Sequence, residues 1–234
     1  MKEVLKREYN LLGKTRLSHI WHMTLGKEDK PLIITDGALN VLPNVKTKLH
    51  ILKNVINFLG SSGKFTTLNS IKSFIEANNQ TATAYISPSL KDIKERFWMG
   101  ERYLTHQEIK RSIKLIEEIK VPLTIFEVLT VIYIMNASKQ NVDYHLVEAG
   151  ALFAKDSTNV FDFPLAQVVV NINKQHLNFL DKNKKTLDEV IYQKVGFLSN
   201  FTYIYVGRQK PNVLKKIKRN LKKNRSKINY SNKF

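Results

Sequence analysis

Short apolar runs alternate along this chain with segments of helical periodicity, and this alternation limits the fold more than any other feature. The runs have the length of buried strands and are bounded by turn residues. They cover residues 55–59, 83–86, 144–147, 168–171 and 203–206. A segment with apolar residues at helical spacing follows the first run, over 66–77. The order predicts an α/β fold, a mainly parallel sheet flanked by helices, with a ligand site where the strands end.

Three later helices are marked by the same signal at their first turn. A threonine precedes the helix and a glutamate stands three residues later, so that each side chain can bond the backbone N–H of the other residue in a capping box. The pairs are Thr105 with Glu108, Thr124 with Glu127, and Thr186 with Glu189. We therefore expect a helix after each threonine, and a structural role for Glu127.

A glycine-containing loop joins the first predicted strand to the first predicted helix. It comprises Gly60, Ser61, Ser62, Gly63, Lys64, Phe65, Thr66 and Thr67. Such a loop aims backbone N–H groups and the helix dipole at a phosphate, while the lysine reaches the outer phosphates and a hydroxyl binds Mg²⁺. The general eight-residue motif requires a glycine where Phe58 stands. Alone, the loop fits a nucleotide site and an ordinary glycine turn equally well.

The shorter pattern Gly-x-x-Gly-Lys-x-Ser/Thr resembles the phosphate loop of the Mur ligase family. Further segments resemble one branch of that family, the folylpolyglutamate and dihydrofolate synthases, in order and spacing from about residue 55 to about residue 221. They are SPSL at 87–90 with ERF at 95–97, TIFEVLT at 124–130, EAG at 148–150 with DSTN at 156–159, QHLNFL at 175–180, QKVG at 193–196 and VGRQKP at 206–211. The resemblance implies the central, P-loop-type domain of a Mur ligase.

The family resemblance also implies a reaction. Members of this family are ATP-dependent carboxylate–amine ligases that activate a carboxylate as an acyl phosphate, which the amino group of glutamate then attacks. The acceptor is a folate, or dihydropteroate in bifunctional members, which places the enzyme in folate and one-carbon metabolism. The expected cofactors are ATP and Mg²⁺, and catalysis of this kind consists mostly of positioning and charge neutralisation.

The resemblance assigns roles to particular residues of this chain. Lys64, His176 and Lys194 would be the catalytic residues, and residues 60–67 would bind ATP. Thr66, Glu148, His176 and Lys194 would hold the metal ion, Lys194 as the lysine that is carbamylated in this family. Ser87 and Pro88 would bind substrate, near the folate or the metal loop. Taken singly, Glu148, His176 and Lys194 also fit a strand-end carboxylate, a satisfied histidine and a surface lysine.

Several positions depart from the family pattern. Phe65 stands where the family has glycine, and Ser61-Ser62 replaces Thr-Asn. The family's Gly-Gly-Arg is replaced by residues 152–154 (LFA), Ser89 replaces a histidine, and Gln175 replaces an aspartate. Together these departures keep a second interpretation open, a catalytically inactive nucleotide-binding remnant.

The resemblance covers only the first of the family's two domains. We expect an irregular extension over residues 1–50, an ATP-binding domain over 51–223 and a basic tail over 224–234. The glutamate-binding domain would be absent, or supplied by a separate chain. The segment ITDGALN at 34–40 is similar to a second-domain motif of the family but precedes the phosphate loop, and is interpreted as a coincidence or a rearranged remnant.

The formal net charge of +18 is concentrated near the C-terminus, since residues 208–234 contain 11 of the 38 Lys and Arg residues and none of the 20 acids. Leu214, Ile217 and Leu221 form an apolar stripe there, which predicts a final helix. This basic surface leaves open binding to nucleic acid or to an anionic surface. The chain has no cysteine, no apolar run of about 18 residues and no signal-peptide pattern at its start. It is predicted to be cytoplasmic.

Overall fold

A computed structural model describes residues 52–118, 123–154, 156–161 and 163–231 of the protein. The predicted extension over 1–50 and its ITDGALN segment lie outside the described residues, as does the end of the predicted tail. Seven strands and five α-helices are described, with three short 3₁₀ turns. The strands are β1 (Val55–Leu59), β2 (Ala82–Tyr85), β3 (Phe97–Met99), β4 (Tyr144–Glu148), β5 (Ala166–Val169), β6 (Tyr203–Val206) and β7 (Lys227–Tyr230). The helices are α1 (Lys64–Ala77), α2 (His106–Glu118), α3 (Ile125–Ala137), α4 (Leu187–Val195) and α5 (Pro211–Asn220).

The strands form one sheet in the order β3-β2-β4-β1-β5-β6-β7. Every neighbouring pair is parallel except β2 and β3. The α/β prediction is confirmed. The carboxyl ends of the central strands β4, β1 and β5 therefore meet at one edge of the sheet, which is the edge where open α/β sheets place their ligands.

Helices cover the two faces of the sheet unevenly. On one face, α2 and α3 pack over β2 and β4 in a core that includes Ile113, Val131 and Val147. On the same face, α4 and α5 pack over β5 and β6 in a second core. On the other face, α1 covers β1, β2 and β4 with a smaller core around Leu68 and Phe58. No described helix is long and apolar enough to cross a membrane.

The helix starts follow the predicted caps with one exception. The complete capping box is present at Thr124 and Glu127. The same reciprocal pair of bonds joins Thr105 and Glu108. At Thr186 only half of the box forms, because Glu189 donates its N–H to the threonine hydroxyl while its carboxylate accepts from Gln193.

Two predictions about strands were wrong. The fourth predicted strand lies two residues earlier, at Ala166–Val169, because Asn171 and Asn173 leave the ladder and bind the loop 60–67. The expected basic tail is not a tail over its described part, since Lys227–Tyr230 forms β7 and pairs in parallel with β6. Ile228 and Tyr230 pack against the core of α4, α5 and β6. These contacts hold the basic segment 227–230 in the sheet.

Candidate nucleotide site

The loop between β1 and α1 turns sharply at two glycines. Gly60 has φ +145° and Gly63 has φ +91°, values that L side chains rarely adopt. A Cβ on Gly60 would lie 2.4 Å from Val170 Cγ2, so the close approach of β5 also requires glycine there. Gly63 is the N-cap of α1 and no side chain caps the helix. The first-turn N–H groups of a 14-residue helix thus face the end of the sheet, an arrangement that attracts anions.

The two serines of the loop are held by the segment after β5. Ser61 N and Ser62 N both donate to Asn171 O, at 2.8 and 3.3 Å. Ser61 Oγ donates to Asn173 O and accepts from Asn173 N, each at 3.1 Å. Ser61 and Ser62 therefore shape the loop, and the N–H groups left for a phosphate are those at the start of α1. Asn173 is a site residue that the sequence did not indicate.

Lys64 lies beside a buried carboxylate. Its Nζ is 3.7 Å from Glu148 Oε1, and the two side chains are 12 % and 3 % exposed. Ser87 N donates to Glu148 Oε2 at 3.2 Å, and the peptide bond that follows, between Ser87 and Pro88, is cis. Burial raises the pKa of Glu148, and the Lys64 charge opposes that shift. Lys64, Glu148 and Ser87 thus lie together at the end of the sheet, while Pro88 is exposed.

Lys194 is 1 % exposed and points from α4 into the loops at the end of the sheet. Its Nζ donates to Gly60 O at 2.8 Å and to Ala151 O at 2.5 Å. Burial, with the nearby positive charge of Lys64, lowers the pKa of Lys194 to about 7. The ordinary role of a surface lysine is therefore excluded. In this structure the side chain joins the phosphate loop to the loop after β4.

His176 has a left-handed backbone, with φ +62°. Its Nε2 is buried and has no hydrogen-bond partner among the described residues. Burial lowers the pKa of His176 to about 4, and the charges of Lys194 and Lys64 contribute to the same shift. These electrostatic contacts place His176 in the neighbourhood of both lysines. A neutral imidazole nitrogen with no partner is available as a ligand.

Asp156 is a further buried acid in this region. It belongs to the segment DSTN at 156–159, for which the sequence predicted no individual role. Its Oδ2 accepts from Gly150 N at 2.9 Å, and its Oδ1 accepts from Thr158 N at 3.0 Å. Burial raises the pKa of Asp156, against these bonds and the charge of Lys194. The aspartate fixes the turn that follows β4, where Glu148 stands. The signal in the sequence was the Asp-x-Thr spacing, typical of a side chain that bonds the backbone two residues later.

Known proteins of similar sequence include a dihydrofolate synthase/folylpolyglutamate synthase from Haemophilus influenzae. It is 28% identical over 182 residues, which is 76% of this chain and 40% of the relative. The crystal structure of Escherichia coli FolC in complex with DHPP and ADP superposes with a TM-score of 0.77 at 20% identity, covering 93% of this chain and 51% of that one. A bifunctional folylpolyglutamate synthase/dihydrofolate synthase with Mn, AMPPNP and L-glutamate bound gives a TM-score of 0.75.

This chain is similar in sequence to folylpolyglutamate synthases and shares their fold. No family model matches the chain. The chain spans less than half the length of the curated synthase quoted above.

The structure shows what the departures from the folylpolyglutamate synthase pattern do. Phe65 turns outward from the first turn of α1 and is 48 % exposed. Phe153 is 1 % exposed and belongs to the core under α4, so this glycine-to-phenylalanine difference is structural. Ser89 is buried, at 1 % exposure. Gln175 is exposed.

Three of the four residues that the synthase pattern assigns to a metal ion offer oxygen or nitrogen donors in this structure. Glu148 supplies a buried carboxylate, His176 a partnerless imidazole nitrogen, and Thr66 a hydroxyl on the first turn of α1. Oxygen ligands with one imidazole suit a hard divalent cation that keeps several waters. No three His, Asp or Glu side chains form a group within the described ranges. The chemistry of Glu148, Thr66 and His176 thus fits a divalent cation with further ligands from outside the protein.

Proposed function

We propose that this chain binds ATP with Mg²⁺ at the loop 60–67 and forms the ATP-binding part of a folylpolyglutamate synthase-like ligase. The observation that carries the proposal is the joint placement of the uncapped N-terminus of α1, Lys64 and Glu148 at the carboxyl edge of the sheet. Relatives solved with ADP, or with AMPPNP and Mn, support a nucleotide and a divalent cation at this fold.

The proposed reaction adds glutamate to a folate or to dihydropteroate. A carboxylate oxygen of the acceptor attacks the γ-phosphorus of ATP, the bond to the β-phosphate oxygen breaks, and ADP leaves. The glutamate amino group then attacks the acyl carbon, loses a proton, and inorganic phosphate leaves. The E. coli relative with DHPP and the relative with L-glutamate support these substrate classes.

Six residues of this chain have roles in the proposed reaction. Lys64 neutralises charge on the transferred phosphoryl group. Glu148, Thr66 and His176 would hold Mg²⁺, which supplies charge neutralisation at the phosphates. Lys194 holds the phosphate loop in place through Gly60 O. As the implied carbamate, Lys194 would instead be a further ligand. Ser87 would position the acceptor beside Glu148.

Calorimetry tests the proposal with MgATP, the intact chain and Lys64→Ala. We expect a measurable heat with the intact chain and its loss in the variant. Lys72→Ala, on the same helix but paired with Glu76, is the matched control and should leave the affinity unchanged. No heat and no thermal shift with the intact chain would overturn nucleotide binding.

Turnover is tested separately. ADP release that depends on both a folate and glutamate would support the ligase. MgATP binding without such release would support the inactive nucleotide-binding remnant instead.

A further inference from the structure

The outer face of β6 and β7 presents aromatic and polar side chains to solvent. Tyr203 and Tyr205 alternate with buried residues on β6 and are 43 % and 45 % exposed. In the ladder, Tyr203 pairs with Lys227 and Tyr205 pairs with Asn229. These four residues are called here the tyrosine face. Because side chains alternate across a strand, all four project from the same side of the sheet.

No described helix packs on this side of β6 and β7. The two neighbouring helices α4 and α5 belong to the core on the opposite side, where they meet Ile204 and Val206. Helix α1 lies on the same side as the tyrosine face, but its core is with β1, β2 and β4. Phe201, two residues before β6, is 69 % exposed.

The surroundings of the tyrosine face are strongly basic. Residues 222–231, which lead into and form β7, contain four Lys and Arg residues and no acid. Lys227 Nζ lies 5.7 Å from the ring centroid of Tyr203, so a cation stands beside the first ring. The exposed residues Arg225, Lys222 and Lys223 lead into β7. An anionic partner is therefore favoured over a neutral or basic one.

We infer that the tyrosine face binds single-stranded nucleic acid. Two rings at consecutive outward positions of a strand are about 7 Å apart, which suits the stacking of successive bases of an extended strand. Exposed aromatic side chains on a sheet, with basic residues beside them for the backbone, are the general means of binding single strands. Lys227 would meet a phosphate, and the Asn229 amide can bond a base edge.

A second copy of the chain fits this face less well. A two-fold contact centred on this face would bring Lys227 and Arg225 close to their own counterparts, and no acid within 222–231 offsets that repulsion.

Fluorescence anisotropy tests the inference with the full chain and a labelled oligo(dT) of about a dozen nucleotides. We expect Tyr203→Ala/Tyr205→Ala to weaken binding at least tenfold, since each stacked base contributes substantially. Lys227→Gln should lower the slope of log affinity against log salt by about one. Tyr192→Ala is the matched control, because this tyrosine is 44 % exposed on α4 and outside the face.

Three outcomes would overturn the inference. Binding that survives the double variant would assign the affinity to the basic surface alone. Sedimentation that shows a dimer lost in the double variant would assign the face to a second copy. If Tyr203 and Tyr205 resist nitration in the free monomer, another part of the chain covers them. MgATP affinity of the double variant is measured in parallel and should be unchanged, so the inference and the proposed function fail independently.

Discussion

Lys64 Nζ lies 3.7 Å from Glu148 Oε1, and both side chains are largely out of solvent. A phosphate that recruits Lys64 must therefore leave Glu148 with a buried negative charge. A divalent cation at Glu148 removes that cost. Nucleotide and metal should consequently bind cooperatively, because each satisfies one partner of the pair.

The variant Glu148→Gln tests this coupling. Metal-free ADP should bind roughly tenfold more tightly to it than to the natural chain, since Lys64 is released and a repelling charge is removed. The further gain from Mg²⁺ should disappear. Calorimetry with and without Mg²⁺ measures both quantities. Glu76→Gln, which removes the same charge from a pair with Lys72 on α1, should change neither. Equal Mg²⁺ dependence in Glu148→Gln and the natural chain would contradict the coupling.

His145 is a residue whose chemistry depends on its burial. Its Nδ1 is 2.7 Å from Thr83 Oγ1, which is 2.7 Å from Tyr133 OH. Burial lowers the pKa of His145 to about 4, against about 6.5 in an unfolded chain. Between these values the unfolded chain takes up a proton and the folded chain does not. Stability is therefore lost as the pH falls from about 6.5 toward 4, by at most about 1.4 kcal/mol per pH unit for this group.

Urea denaturation between pH 7 and pH 5 measures this loss. His145→Gln should show a clearly shallower decline of the unfolding free energy with falling pH. His176 has a similarly lowered pKa, so part of the decline should remain in the variant. Parallel declines in the variant and the natural chain would show that His145 does not carry the effect.

Helix starts are decided at the scale of single elements, and two of them form a natural comparison. The capping box of α3 is buried and complete, with Glu127 at 2 % exposure. The cap of α4 lacks the return bond from Glu189 and lies in solvent. Since α3 also supplies much of the core over β2 and β4, its first turn carries more of the fold.

Thr124→Ala should therefore lower the free energy of unfolding by about 1–2 kcal/mol, near the upper end for a lost cap. Thr186→Ala should cost about 0.5 kcal/mol, because an exposed cap can be replaced by water. Chemical denaturation of the two variants in parallel gives the comparison. A larger loss at Thr186 would show that burial does not determine the strength of these caps.

At the scale of the whole molecule, β7 extends the sheet by one strand beyond the predicted domain. Ser231 N donates to Val206 O at 2.9 Å, and Asn224 Nδ2 donates to Leu198 O at 3.1 Å. Ile228 and Tyr230 cover the core formed by α4, α5 and β6. A segment with this many contacts contributes to global stability, unlike a frayed terminus.

Ending the chain after Lys223 should lower the free energy of unfolding by about 2–4 kcal/mol, since two partly buried side chains and a strand ladder are lost. Ending it after Ser231 is the control and should change stability little. Thermal and urea denaturation of both truncated chains measure the difference. Equal stability of the two would restore the prediction of a tail.

Much of this architecture could be predicted because it is local. The apolar runs at 55–59 and 203–206 became β1 and β6 with the same bounds, and the threonine–glutamate spacings marked helix starts. The glycines of the loop 60–67 predicted a turn between the first strand and the first helix. Six short motifs that resemble the family drew attention to Glu148, His176 and Lys194 as candidate site residues. Spacing along the chain is sufficient for such features, since turns, caps and alternation involve residues a few positions apart.

Only the tertiary structure decided which distant groups meet. Asn173 holds Ser61 across 112 positions, and Lys194 reaches Gly60 across 134. Those contacts, like the pairing of Lys227 with Tyr203, arise from strand order and burial, which sequence spacing does not encode. The sequence by itself predicted five of the seven described strands, the helix starts and the glycine turns of the loop 60–67. The fold determined that Lys64 faces Glu148, that Lys194 is buried, and that a basic segment completes the sheet, because these depend on the free energy of packing the whole chain.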